Sequence, residues 1–519
     1  MQKFSILWAD DEIDLLKPHI IFLQNKGYEV TPVVSGNDAV EKCKTQLFDV
    51  VFLDENMPGM SGLETLTNIK QHWPSIPVVM ITKSEEEHIM EQAIGSKIAD
   101  YLIKPINPNQ ILLSLKKLLE NKRLVSEKTT MGYQQDFRNI SMAFGDNMNY
   151  DEWAEIYNKL IFWELEMEKA DNKSMSEVLE NQKTEANSYF SRFLTENYED
   201  WLNEPKADKP LLSHQIMKKK VFPLVNSDVP VFFFLIDNLR LDQWKIMEPF
   251  VMEMFSNEEN STYYSILPTT TAYARNAIFS GLMPSEIEKQ FPQYWVNDEE
   301  EEGKNLHEKE LLESQLKRNK LEVKYSYTKI LNQQAGKNFL DVLPNLMNNQ
   351  LNAVVYNFVD MLSHARTDVA VIKELAADEA AYRSIAHSWF LHSTFYEALK
   401  WLAEKKVRVI ITTDHGTIRV KRPVKIVGER DTNTNLRYKH GRNLSLDEKE
   451  VFVTRKPERF FLPKKNVSTA YVFAYEDRFF AYPNNFNYFV NFYKDTFQHG
   501  GISLEEVIVP FVQVKSKKI

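Results

Sequence analysis

Cysteine is almost missing from this chain: Cys43 is the single thiol among 519 residues, so no intrachain disulfide can form. Long apolar runs are missing too. The longest, such as Val229 to Ile236, have the length of a strand and fall far short of the roughly 20 residues that span a bilayer. The N-terminus reaches Asp10 and Asp11 before any apolar stretch long enough for a signal peptide. These absences predict a reducing, cytoplasmic setting and no membrane insertion. Positive charge is in deficit, with 63 Lys and Arg against 73 Asp and Glu, a net charge of −10. That balance argues against a protein that coats duplex DNA, and no conventional DNA-binding output domain is suggested.

What is present is ordinary for a folded protein: 43% hydrophobic and 26% charged residues leave no room for a largely disordered chain. The length exceeds what one hydrophobic core supports and predicts several domains. Residues 1–120 alternate short apolar strands (Phe4 to Trp8, Val50 to Leu53, Val78 to Ile81, Asp100 to Ile103) with amphipathic stretches, the pattern of βα repeats around a doubly wound parallel sheet. Between 121 and 205 glycine is nearly absent, and aromatic, Leu and Met residues recur at helical spacing in Tyr150 to Lys169 and Ser174 to Leu202, which predicts a helical bundle connector. The aromatic stripe there (Trp153, Tyr157, Phe162, Trp163, Tyr189, Phe190, Phe193, Trp201) reads as buried core. From 206 to 519, strongly apolar strands at Val231 to Ile236, Ala353 to Val359 and Val407 to Thr412, separated by long helical stretches, predict a second, larger α/β domain. The acidic run Asp298 to Glu302 reads as a solvated loop.

Two constellations carry chemistry. In the first, Asp10 and Asp11 follow the first strand, Asp54 and Thr82 end later ones, and Lys104 precedes Pro105 after the last. Ligands of open parallel sheets sit at the carboxyl edge of the strands, so these side chains can converge on one crevice. Three clustered carboxylates call for a hard cation such as Mg²⁺, and the natural chemistry is attack of the Asp54 carboxylate on a phosphodonor, giving an acyl phosphate contacted by Thr82 and Lys104. An acidic pair alone is more often a helix cap; the whole set reverses that reading. Through Trp8-Ala9-Asp10-Asp11-Glu12, Leu53-Asp54-Glu55-Asn56-Met57-Pro58-Gly59, Ile81-Thr82-Lys83 and Lys104-Pro105, this region resembles the receiver domain of bacterial response regulators. The resemblance implies a flavodoxin-like fold and phosphorylation of Asp54 by a sensor histidine kinase. It further implies Mg²⁺ held with the help of Asp10 and Asp11, Thr82 and Lys104 as readers of the phosphoryl group, Tyr101 as the aromatic switch, and a homodimer formed on phosphorylation through the surface of the fourth helix and last strand.

The second constellation lies in the C-terminal half. Asp237 ends an apolar strand, Asp360 ends another and is followed four residues later by His364, Asp414-His415-Gly416 ends a third, and His499 precedes Gly500-Gly501. Three carboxylates and three histidines suit a pair of Zn²⁺ ions, with Mn²⁺ as the alternative. Such a pair can activate a hydroxyl and clamp a phosphoryl group. Pro268-Thr269-Thr270-Thr271-Ala272-Tyr273-Ala274-Arg275 offers three threonines before a helix-like stretch. Asp-x-x-x-His or Asp-His alone is only suggestive. The chain order Asp, Thr, Asp-x-x-x-His, Asp-His, His resembles the alkaline phosphatase superfamily over residues 206–519, in particular its PglZ branch. That resemblance implies one metal bound by Asp360, His364 and His499, the other by Asp237, Asp414, His415 and Thr271, with Thr271 the nucleophile and Thr270 its competitor. The stretch Asp431 to Asn443, with Arg437, Lys439, His440 and Arg442 around an aromatic, reads as a candidate phosphate or base contact, as do Arg275 and Asn276.

The reading is therefore a multidomain α/β protein: a receiver over 1–120, a helical bundle connector over 121–205, and an alkaline-phosphatase-like α/β domain over 206–519. The expected function is phosphorylation-controlled hydrolysis of phosphodiesters, with linear or cyclic oligonucleotides as the candidate class. A phosphomonoesterase differs only in substrate. The rival from another class is a noncatalytic adaptor that docks a sigma factor or secretion component. The three-part order resembles the PorX-type response regulators of Bacteroidetes, which implies a link to type IX secretion.

Overall fold

The structure, a computed structural model, describes residues 4–74, 76–83, 98–144, 147–170, 173–225, 228–296, 305–368, 378–428 and 433–518, without the side chains of 120–127, 173–174 and 364–368. The acidic run Asp298 to Glu302, the fourth receiver helix, and Asp431 and Thr432 lie outside the described residues. The chain divides into two compact units, Met1–Gln135 with Lys169–Asn172, and Asp136–Glu168 with Lys173–Ile519.

In the first unit, β1 (Ser5–Ala9), β2 (Glu29–Val33), β3 (Val50–Asp54), β4 (Val78–Thr82) and β5 (Asp100–Ile103) form a parallel sheet in the order β2-β1-β3-β4-β5. This is the flavodoxin-like order. The apolar strands read as continuous runs because helices cover both faces: Ile6, Trp8, Val50, Phe52, Val79 and Ile81 pack on one side, Leu7, Ala9, Val51, Leu53, Val78 and Met80 on the other. The helix Gly62–His72 starts at a reciprocal cap in which Glu64 N donates to Ser61 Oγ and Ser61 N to Glu64 Oε2. That cap fixes the loop leaving the Asp54 strand.

The second unit begins with long helices. Tyr150–Lys169 and Lys173–Asn203 form where glycine is scarce, and Trp153, Tyr157, Trp163, Phe190 and Trp201 are buried. Phe162 and Tyr189 depart from the expected core, at 53% and 37% exposure. Phe162 faces solvent beside Trp163, and Tyr189, though partly exposed, stacks on the buried Phe144 with centroids 5.6 Å apart. The first of these helices is fastened into the rest of the unit by Arg383, which binds its Glu164 at 2.8 Å and Glu168 at 2.7 Å and also Asp242 at 2.7 Å, and the second helix joins the first through Lys183 and Glu164 at 2.7 Å.

The main sheet of this unit is mixed. It contains β6 (Val231–Ile236), β7 (Phe255–Tyr264), β8 (Tyr325–Ile330), β9 (Leu351–Tyr356), β10 (Arg408–Thr412) and β18 (Ile508–Ser516) in the order β7-β18-β10-β6-β9-β8. The strands β10, β6, β9 and β8 run parallel, while β18 is antiparallel to both β10 and β7. Small two- and three-stranded pieces complete it: β11 (Ile418–Arg419), β12 (Arg422–Lys425), β13 (Tyr438–Gly441), β14 (Val451–Thr454), β15 (Ala470–Ala474), β16 (Arg478–Ala481) and β17 (Phe497–Gln498). The second apolar segment, Ala353 to Val359, differs from expectation. Strand β9 stops at Tyr356, and Phe358–Asp368 is a helix, so Asp360 stands in a first helical turn rather than at the strand end. No helix among the described residues is long and apolar enough to cross a membrane.

Candidate functional site

In the first unit, the parallel register carries Asp10, Asp54 and Thr82 to the same sheet edge. One carboxylate oxygen from each of Asp10, Asp11 and Asp54 lies within 4.8 Å of the others. Lys104 Nζ stands 2.9 Å from Asp10 Oδ2 and 2.8 Å from Asp54 Oδ1. Burial pushes the Asp54 carboxyl above its ordinary value; Lys104 opposes the shift, and Asp10 and Asp11 add to it. A carboxylate cluster offering only oxygen donors matches the preference of Mg²⁺. Thr82 Oγ1 donates to Glu55 Oε2, a partner that sequence reading did not single out although it directly follows Asp54. Tyr101 is 40% exposed on the last strand.

In the second unit, strands β10, β6 and β9 are neighbours, and their register puts Thr412 opposite Leu235 and Ile236 opposite Tyr356. Their carboxyl ends therefore coincide. Asp237 N donates to Tyr356 O at 2.8 Å, and Asp414 lies two residues past the end of β10. The ligand atoms of Asp237, Asp414 and His415 lie within 4.8 Å of one another, and all three side chains are buried. Thr271 Oγ1 is 3.3 Å from Asp237 Oδ1 and 3.2 Å from His415 Nε2. His415 Nε2 is 3.9 Å from both Asp237 Oδ1 and Asp414 Oδ2. Its Nδ1 lies 3.0 Å from Gly416 O, which sets the proton on Nδ1 and leaves Nε2 as an acceptor or ligand. Thr270 is close by, but its buried hydroxyl has no hydrogen-bond partner among the described residues.

His499 arrives by a route no local pattern displays. The short antiparallel pair β11–β17 joins the segment after His415 to the segment before His499, and Thr417 Oγ1 donates to Gln498 O at 2.9 Å. The two imidazoles stack with centroids 4.3 Å apart. His499 Nε2 is 3.6 Å from Asp360 Oδ1, and its Nδ1 is 3.2 Å from Thr269 O. His364 falls one helical turn after Asp360, and its side chain lies outside the described residues.

Spacing tests whether these residues suit ions. Ligands of a tetrahedral zinc, bonded at about 2.0–2.1 Å, stand about 3.3 Å apart. The separations among Thr271, Asp237 and His415 run from 3.2 to 3.9 Å. They fit. Charge agrees: burial, then neighbouring Asp414 and Asp360, hold Asp237 well above the usual carboxylate range against the pull of Arg275, whereas at Asp414 burial, which raises it, is overcome by Arg275, His415 and the Asn238 amide, which hold it down at about 2. Asn238, in the left-handed region at φ 63°, turns its N–H toward Asp414 Oδ1 at 3.3 Å and gives its side-chain amide to Ser363 at 3.2 Å, on the helix of Asp360.

Two of the candidate substrate contacts, Arg275 and Arg437, lie inside the protein. Arg275 is fully buried; its Nη2 pairs with Asp237, its Nε lies 3.1 Å from Asp414 Oδ2 and its Nη1 3.4 Å from Asn357 Oδ1. It faces the carboxylates from inside the protein. Arg437 is likewise fully buried, with Nε 3.1 Å and Nη2 2.6 Å from the Glu506 carboxylate and Nη1 on Arg478 O. Asn276 donates one turn back to Ala272 O at 2.9 Å. Lys439 is buried on β13, donates to Asn433 O at 2.6 Å, and burial lowers it to about 7. His440 stacks on Tyr471 with centroids 5.1 Å apart, and Arg442 is exposed.

Comparison with known proteins agrees with this architecture. The family model of the BREX system PglZ alkaline phosphatase-like domain matches residues 216–514, that of the PorX response regulator linker domain matches 123–202, and that of the response regulator receiver domain matches 6–116. The transcriptional regulatory protein ZraR of Klebsiella oxytoca is 35% identical over 129 residues, 25% of this chain and 29% of that protein. The alkaline phosphatase synthesis transcriptional regulatory protein PhoP of Bacillus subtilis is 26% identical over 157 residues, 30% of this chain and 64% of the relative. The chain thus spans less than a third of the length of ZraR. Among solved structures, the chemotaxis protein CheY4 of Vibrio cholerae matches at 28% identity over 23% of this chain and 100% of its own, with a TM-score of 0.22. The chain is a response regulator of PorX-type architecture, receiver, linker and output domain in that order, and belongs to the PglZ alkaline phosphatase-like family.

Proposed function

We propose that this response regulator is phosphorylated on Asp54 by a sensor histidine kinase and that its output domain, over 206–519, is a zinc-dependent phosphodiesterase acting on linear or cyclic oligonucleotides. The observation that carries the reading is the meeting of Thr271 Oγ1 with Asp237 Oδ1 and His415 Nε2 at 3.3 and 3.2 Å, beside the Asp360–His499 pair. Asp237, Asp414, His415 and Thr271 would hold one ion, and Asp360, His364 and His499 the other, zinc by preference and manganese by substitution. When bound, such a pair lowers the pKa of an adjacent hydroxyl and stabilises charge on a phosphoryl group.

The chain's own residues prepare that chemistry. The Thr271 hydroxyl carries one proton and can give it to Asp237 Oδ1 or to His415 Nε2, one at a time, which leaves its oxygen lone pairs to meet phosphorus. Arg275 fixes Asp237 and Asp414 in place through a guanidinium that water does not reach. In the receiver, Asp10 and Asp11 would hold Mg²⁺, Thr82 and Lys104 would contact the phosphorylated Asp54, and Tyr101 would report it. We place the protein in the cytoplasm, as a phosphorylation-dependent homodimer linked to type IX secretion.

The test compares hydrolysis of bis(p-nitrophenyl) phosphate and p-nitrophenyl phosphate by wild type and Thr271→Ala, with zinc content measured in parallel. Diester hydrolysis by wild type that Thr271→Ala abolishes is the expected result. Monoester preference would make the protein a phosphomonoesterase. Zinc bound with neither ester cleaved would favour an adaptor that docks a sigma factor or secretion component.

A further inference from the structure

The two histidines of the site belong to segments far apart in sequence, yet each is followed by a glycine pressed onto the same buried unit. Gly416 N, next to His415, donates to Glu506 O at 3.2 Å, and a Cβ on Gly416 would stand 1.9 Å from Glu505 O. Gly501 N, two residues past His499, donates to Glu506 Oε1 at 2.9 Å, and a Cβ there would stand 2.7 Å from Arg437 Nη2. Neither approach tolerates a side chain. Glu506 is fully buried, its carboxylate spans the Arg437 guanidinium, and Ser503 Oγ adds a hydrogen bond to Oε2 at 2.7 Å. Arg437 reaches in turn to Arg478 O, next to the small sheet strands β15 and β16.

We infer that the Arg437–Glu506 ion pair is a positioning device that pins the His415 and His499 segments against each other and so sets the geometry of both halves of the metal site. This inference rests on the metal-dependent reading of that site. It also converts the cationic stretch around Arg437 from a substrate surface into an internal brace. The physical case is one of accounting for donors. Three of the carboxylate's contacts come from charged or backbone groups that burial makes costly to leave unpaired, so the pair, Gly501 and Ser503 hold one another in a single arrangement. Because His499 is two residues from Gly501, a shift in the brace moves an imidazole that must meet its partner to within tenths of an ångström. Groups that orient a metal ligand in this way typically change metal affinity about 10- to 100-fold when removed.

The experiment uses the full chain, stripped of metal and titrated with Co²⁺, whose visible absorption reports the number and kind of its ligands. Glu506→Gln keeps the shape but leaves the Arg437 cation buried without its counter-charge. The double variant Arg437→Met/Glu506→Met removes both charges, a change that buried pairs often tolerate without loss of stability, and keeps the test open should the single variant fail to fold. The expected result for the double variant is a cooperative melt and an unchanged far-ultraviolet spectrum. With these go a 10- to 100-fold weaker Co²⁺ affinity with an altered absorption band, on the order set by outer contacts of metal ligands, and a fall in kcat for bis(p-nitrophenyl) phosphate with KM nearly constant. Wild-type Co²⁺ binding in the double variant, with or without a raised KM, would overturn the inference; a raised KM would return Arg437 to the substrate. A wild-type protein that takes up no Co²⁺ would instead defeat the metal-dependent reading itself.

Discussion

Thr270 and Thr271 are neighbours of the same chemical type, and the fold separates them by where each hydroxyl goes. Thr271 Oγ1 lies between Asp237 and His415, whereas Thr270 Oγ1 is buried beside the Gly500 turn with no partner among the described residues. Replacing Thr271 with Ala is expected to lower kcat by at least about 10³-fold, as removal of a nucleophile does, while Thr271→Ser keeps measurable turnover. Thr270→Ala should stay within about tenfold of wild type, since no step is routed through that hydroxyl. Steady-state rates with bis(p-nitrophenyl) phosphate decide between the two threonines. A second residue-scale prediction concerns stability. Burial, aided by Lys219 and Lys209, holds His214 down at about 4 against an ordinary value of 6.5. A histidine depressed in the folded state stabilises fully above pH 6.5 and loses that contribution as pH falls toward 4, because the unfolded chain takes up a proton that the folded one refuses. The loss is at most about 3 kcal/mol over that window. In His214→Phe, the fall in melting temperature between pH 6.5 and 4 should be smaller than in wild type; an equal fall in both proteins would refute the assignment. At this scale, legibility was uneven. Asp237 and Asp414 announce themselves by following apolar strands, but nothing near Arg437 in sequence hints at Glu506, 69 residues away.

The elements explain how much could be anticipated above single residues. The helix boundaries Tyr150–Lys169 and Lys173–Asn203 follow from helical spacing and scarce glycine, both local signals. The receiver strands were equally plain, because continuous apolar runs have nowhere to go but a sheet covered on both faces. Strand β18 and its antiparallel partner β7 were not foreseen: β7 carries Ser256, Asn257, Glu258, Glu259 and Asn260, a polar edge sequence that resembles a loop until β18 pairs with it. The small β11–β17 pair, two residues a side, lies below any sequence signal, although it brings His499 to His415. The linker helices carry a prediction of their own. Arg383 bridges Glu164 and Asp242 from one guanidinium; Glu164 keeps Lys183 and Asp242 keeps Arg240 when it is removed, so Arg383→Ala should cost about 1–3 kcal/mol, the loss of charge-assisted hydrogen bonds rather than of a lone counter-charge. A melting temperature lowered by several degrees in thermal unfolding of the full chain is expected, and an unchanged one would contradict the role given to this bridge.

For the molecule as a whole, each compact unit holds a cluster of acidic ligands at the carboxyl edge of parallel strands, one of oxygens alone and one that adds histidine. The donor chemistry separates the expected ions, Mg²⁺ for Asp10, Asp11 and Asp54 and zinc for the Asp237 pocket. If phosphorylation of Asp54 drives association, beryllofluoride should raise the dimer fraction of wild type but not of Asp54→Ala in light scattering coupled to gel filtration; equal responses would remove that mechanism. The central claim is that distant Asp, His and Thr side chains form one pocket for two ions. It is tested most directly by diffraction from crystals of the zinc-loaded full chain, collected on both sides of the zinc absorption edge. The account predicts two anomalous peaks about 3.5–4 Å apart, one against Asp237, Asp414, His415 and Thr271 and the other against Asp360, His364 and His499. A single ion closed by four protein ligands, or no peak at these residues, would contradict it.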